Sequence, residues 1–192
     1  MRFRLSRPAA TLAAGLALVL LLAGCVPPDP IITPEPGPGA TPVFASDEEA
    51  LAAATDAFAN YLRESDQILA EGGANPDRLL SVATKEWVNA QSTGFEEART
   101  KKLHSVGKTT FDKVSLQQYD STAADGVGIV RLYLCVDLTA VDVLDANGHS
   151  VVSETRPNRI PFEVTFDKSS GPANDQLLVA NEEKWGGRDF CA

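Results

Sequence analysis

Few side chains in this chain are placed to do chemistry. Tyr133 and Asp137 fall at even spacing in a strand-like run, so both sit on one face of it, and Tyr61 lies in a helical stretch that could face them. A carboxylate that takes a proton, opposite a group that polarises a carbonyl, is the equipment of an isomerase-type site. The blander reading is that Tyr133 packs while Asp137 pairs with an arginine or lies beyond the sheet edge, and it is favoured here. Only two histidines are present. His104 closes a helical stretch and His149 follows Asn147-Gly148, so both read as surface residues. There is no Gly-x-Ser-x-Gly and no His-x-x-Glu-His spacing. Gly126-Val127-Gly128 lacks the third glycine of a dinucleotide loop and precedes a strand rather than a helix. The expectation is a non-enzymatic protein with no catalytic residue, no metal site and no cofactor.

The cysteines are more informative: Cys25, Cys135 and Cys191. Cys25 ends the run Leu22-Ala23-Gly24-Cys25. Before it stand Arg2, Arg4 and Arg7, then an uncharged apolar run from Ala9 to Ala23. That run is shorter than the roughly 20 residues of a spanning helix. A positive start, a short apolar run and small residues before a cut make a secretory signal, and this one matches a bacterial lipobox. Cleavage between Gly24 and Cys25 would leave the Cys25 thiol to carry lipid, with acyl chains such as palmitate. More than one chain is needed for firm attachment. The competing reading is an ordinary signal peptide with an incidental cysteine. Once exported, Cys135 and Cys191 most simply form one disulfide. The alternative is a buried free Cys135 and a loose Cys191. No Cys-x-x-Cys supports a redox or zinc motif.

Charge narrows the partners. The whole chain carries 17 Lys+Arg against 26 Asp+Glu, a net −9. Loss of residues 1–24 removes three arginines and no acid, which deepens this to −12. Nucleic acid is excluded, since phosphates need a basic footprint. Electrostatic adhesion to anionic lipid is disfavoured as well. Membrane attachment is therefore assigned to the lipid on Cys25, at the extracytoplasmic face of the cell membrane.

Three segments follow: a signal peptide over 1–24, a tether over 25–45 and a folded domain over 46–192. Seven of the 12 prolines crowd residues 26–45, which predicts an extended, polyproline-like spacer; a Pro-rich ligand is the other reading. Ser46-Asp47-Glu48-Glu49 is a capping box that opens a long helix ending at Gly72-Gly73. Asn75-Pro76-Asp77 predicts a second, short helix through Val88, broken near Thr84. Thr93-Gly94-Phe95-Glu96 predicts a third, ending at Gly107. From Thr109 the period becomes that of strands: Thr109–Tyr119, Val127–Thr139, a hairpin at Asn147-Gly148 of the I′ kind, a strand around Ile160–Phe166, and a last one over Leu177–Ala180. Trp185–Cys191 is a tail.

Helices first and antiparallel strands after is an α+β order. It resembles the nuclear transport factor 2-like (cystatin-like) cone, a curved antiparallel sheet with N-terminal helices packed on it. Cys135-Val136-Asp137-Leu138-Thr139, Asp145-x-Asn147-Gly148, Arg156-Pro157 and Trp185 before a penultimate Cys191 are similar to uncharacterised lipoproteins of high-GC Gram-positive bacteria. That resemblance implies a fold and an envelope location but no mechanism. The primary expectation is a binding or interaction module for an envelope protein or an apolar small ligand. The rivals are a cyclase- or isomerase-type cone enzyme and a structural subunit of an envelope complex. Intact mass of the mature protein is expected to show cleavage before Cys25 plus acyl mass, and Cys25→Ala to abolish membrane retention. An unmodified thiol on a freely secreted form would refute the anchoring.

Overall fold

A computed structural model describes residues 42–170 and 176–192. The predicted signal peptide, the predicted cleavage site Gly24–Cys25, nearly all of the predicted tether and most of the predicted 169–175 loop lie outside the described residues. The remainder forms an α+β unit of two α-helices, two short 3-10 helices and six strands.

Helix α1 spans Asp47–Ala70 with Ser46 as its cap, and the Glu49 carboxylate reaches back one residue beyond the capping-box position. The Ser46 hydroxyl accepts from the Glu49 N–H at 3.3 Å, while the Glu49 carboxylate accepts from the Ala45 N–H at 2.7 Å. Ala50, Ala54, Phe58, Tyr61, Leu62 and Ile68 form its buried stripe. It stops where expected, with Gly72 and Gly73 at positive φ. Gly73 also permits a close approach: a Cβ there would stand 2.2 Å from the Phe95 carbonyl oxygen.

The next helical segments differ from expectation. Pro76–Ser81 is a 3-10 helix, and Asn75 enters it in the left-handed region without a side-chain cap bond. The chain then crosses an extended connector whose Ala83 bridges Val179. Thr84 is the true cap, its hydroxyl accepting from the Trp87 N–H at 3.2 Å. Helix α2 spans Lys85–Lys101 and runs straight through the predicted start at Thr93. Val88, Phe95 and Ala98 lie on one buried face across Gly94. Their burial outweighs the roughly 1 kcal/mol that an internal glycine costs. Lys102, in the left-handed region, ends α2. His104 consequently lies in strand β1, His104–Val106, and not in a helical turn.

Four strands build the main antiparallel sheet in the order β2-β3-β5-β6. They are β2 (Thr110–Tyr119), β3 (Val130–Asp137), β5 (Arg159–Lys168) and β6 (Leu177–Lys184). Strands β2 and β6 are its two ends, so the sheet is not closed. Strand β1 pairs separately with β4, Asp142–Leu144. The hairpin after β4 is not of the I′ kind, which needs positive φ at both central residues. Only Gly148 has it, and the Asp145 N–H reaches the His149 carbonyl across a three-residue loop.

The inner face of the sheet carries Val130, Leu132, Leu134, Val164 and Phe166, all fully buried under α1. Phe58 sits at the centre, edge-on to Phe111 at 5.0 Å and stacked with Tyr61 at 5.9 Å. The outer face is covered by the C-terminal tail. Cys191 joins Cys135 in a disulfide with Cα atoms 5.5 Å apart. Trp185 and Phe190 lie against Tyr133 at 4.9 and 6.2 Å. The Lys113 ammonium donates to the carbonyls of Phe190 and Ala192, and the Arg159 guanidinium to that of Cys191.

The disulfide closes a loop of 56 positions, for which loop entropy alone gives at most about 4 kcal/mol. Cys135→Ser with Cys191→Ser should lower Tm by roughly 10 °C and free Trp185 to solvent, read as a red-shifted, more quenchable tryptophan emission. An unchanged Tm would show that the polar contacts of the tail suffice.

Candidate functional site

The three residues that an isomerase-type site would need are not brought together. Tyr133 and Asp137 lie on the outer face, Tyr133 beneath Trp185. Asp137 accepts from the Arg159 guanidinium at 2.8 Å and from the Thr139 N–H at 2.8 Å. Those Thr139 hydrogen bonds, and then Arg159, hold its carboxyl below the ordinary aspartate value. A second carboxylate, Asp112, meets the same guanidinium at 2.6 Å, so Asp137 belongs to a surface ion-pair cluster. Tyr61 is on the opposite side of the sheet, among the helices.

Sequence reasoning missed the partner that Tyr61 does have. Its hydroxyl donates to the Glu182 carboxylate at 2.8 Å and accepts from the Trp87 indole N–H at 3.0 Å. One hydroxyl thus links α1, α2 and β6. Glu182 reaches the inner face because β6 contains a bulge. Phe166 pairs with Val179 and Thr165 with Asn181, so the register shifts at Ala180. Leu177 and Val179 point inward before the shift, and Glu182, opposite Val164, does so after it. Bulges re-aim side chains in this way. The strand expected to end at Ala180 continues to Lys184, and its polar second half concealed that continuation. Burial pushes the Glu182 carboxyl up to about 7, against the Tyr61 hydrogen bond that favours the charged form. Burial and then the charge of Glu182 raise the Tyr61 phenol.

A concavity lies elsewhere, between the second half of α1 and the segment that leads from β1 into β2. It encloses about 610 Å³. Leu62, Phe111 and Ala59 give it an apolar floor, and Arg63, Asp66, Gln67 and Lys108, with the exposed Ala70, its rim. Asp66 fastens the two walls together: its carboxylate accepts the Thr109 N–H at 2.8 Å and the Thr109 hydroxyl at 2.7 Å. Floor and rim of this kind, at this size, describe a small-ligand site. Nothing in the strand or helix periodicity marks it, because its walls come from segments some 40 residues apart.

Among the described residues no cluster of histidine, cysteine and acidic side chains is placed to hold a metal. His149 lies exposed beside Asp145, and His104 is in β1. Comparison with protein-family models and with curated protein sequences finds no match.

Titration of Glu182 should be visible in stability. An ordinary glutamate ionises near 4.5 and this one near 7, so the folded state holds a proton that the unfolded chain has lost. Its contribution is present below about pH 4.5 and fades as pH rises through 7. Glu182→Gln keeps an acceptor for Tyr61 without the charge. Relative to wild type it should gain on the order of 1–2 kcal/mol at pH 8 and little at pH 5, measured by chemical denaturation. Equal effects at both pH values would show that Glu182 titrates normally.

Proposed function

We propose that this protein is a lipid-anchored module of the cell envelope, held at the extracytoplasmic face of the membrane through Cys25, which binds an apolar ligand or partner segment and catalyses no reaction. In this reading the Pro-rich tether lifts an open cone of the nuclear transport factor 2-like kind above the lipid. The lipobox and the pairing of Cys135 with Cys191, which suits an oxidising compartment, support the location. The apolar-floored groove between α1 and β2 carries the binding role.

A binding role is favoured over catalysis by the way the polar groups are engaged. Asp66, in the groove, is committed to Thr109. Glu182 and Tyr61 are committed to each other. The space beneath α1 is filled by Phe58, Leu62 and Phe111.

The test is capture in the living envelope. A photoreactive benzoyl-phenylalanine at Gln67, on the rim, should yield on illumination a defined adduct on the full chain. Ala59→Phe, which fills the floor, should reduce that adduct roughly tenfold. The same photoreactive residue at Val127, exposed and remote from the groove in sequence, should not produce it. Absence of any groove-dependent adduct would refute the binding role.

A further inference from the structure

We infer that the groove takes a single-chain anionic amphiphile: an acyl tail along the Leu62–Phe111 floor and a carboxylate head between Arg63 and Lys108. This rests on the groove being a binding site, as proposed above. Arg63 stands on the α1 wall and Lys108 on the facing segment, and both are exposed lining residues. Neither has a hydrogen-bond or ion-pair partner among the described residues. The acids that could have neutralised them are engaged. Asp66 faces Thr109, and Glu64, next to Arg63 in sequence, pairs with Arg78 at 3.3 Å. Gln67 is turned to Glu71. The groove therefore carries two cations against one hydrogen-bonded carboxylate, on a chain whose net charge is strongly negative.

Charge and shape select the same chemistry. A neutral apolar ligand would fill the floor and leave both cations without a use. A polyanion would be repelled by the net negative charge of the chain. One negative head on one apolar tail satisfies the floor by burial and the rim by charge pairing, with both cations still touching water. The rim pairs are solvent-exposed, so their contribution is modest and salt-sensitive. The apolar floor supplies most of the affinity and the cations supply the preference for an acid.

The full chain in lipid nanodiscs can be photolabelled with diazirine-bearing lauric acid or with its methyl ester, and the labelled residues mapped by mass spectrometry. Ratios between variants for a given probe cancel partition into the bilayer. Both probes should label the walls at 59–70 and 107–111, and Ala59→Phe should suppress both. Arg63→Glu with Lys108→Glu should raise the half-saturating concentration of the acid about fivefold and leave that of the ester unchanged. If both probes label the groove and the charge reversal moves neither, the anionic preference is wrong while the binding role stands. If neither probe labels the groove and the Gln67 adduct is also absent, both fall. If that adduct forms while the acid fails to label the walls, only the amphiphile assignment is overturned.

Discussion

Burial of strand β3 on both faces is the constraint on which the rest of the unit depends. Val130, Leu132, Leu134 and Val136 fill one side and Cys135, with Tyr133, the other. A single antiparallel sheet commonly leaves one face to water, but this one cannot. Helix α1 covers the inner face with an apolar stripe long enough to cross the strands. The outer face has no helix, and a short tail does the work instead. A tail of eight residues has little apolar surface to hold it, so it is tied by a covalent bond and by charges from Lys113 and Arg159. The ion-pair cluster of Asp112, Asp137 and Arg159 is the polar border of that cover.

The same cover explains why a plausible catalytic set dissolves on folding. Alternation along β3 puts Tyr133 and Asp137 on the face of Cys135, which is the face the tail occupies. Tyr61 belongs to the helix on the other side. A sheet lies between them. The half-buried carboxylate that the helix side does contain, Glu182, is turned inward by a bulge and captured by Tyr61. Its energetic role is structural: one hydroxyl and one carboxylate join α1, α2 and β6 where an apolar contact would otherwise serve.

The groove lies where α1 meets the segment that joins β1 to β2. The first half of α1 is sealed over the inner face by Ala50, Ala54 and Phe58. In its second half Tyr61, Leu62 and Ile68 turn inward, and the open side meets the strand-to-strand segment at Thr109. Asp66 bridges the gap by hydrogen bonds rather than by packing, so a concavity remains beside it. Sites tend to persist where polar fastening replaces close packing, because the fastening holds walls apart at a set distance.

Local patterns determined much of this protein before any fold was considered. The capping box at Ser46 and the glycines at 72–73 bounded α1, since both ends are decided by residues within one helical turn. The alternation of β3 placed Cys135 opposite Leu134, and the expectation that Cys25 is taken up by lipid left Cys191 as its partner, the pairing that the structure shows. What failed was whatever depends on competition between distant segments. Thr93-Gly94-Phe95-Glu96 is a sound capping box, yet Thr84 started the helix first and the burial of Val88 and Phe95 carried it through. Asn75 looked like a cap, but a left-handed entry into a 3-10 helix took its place. Glu182 lay in a stretch too polar to read as a strand, and only pairing with β5, shifted by one residue, turned it inward. The groove had no linear mark at all. Its floor and rim exist because Asp66 and Thr109, 43 positions apart, meet in three dimensions, and residue spacing along the chain carries no record of that meeting.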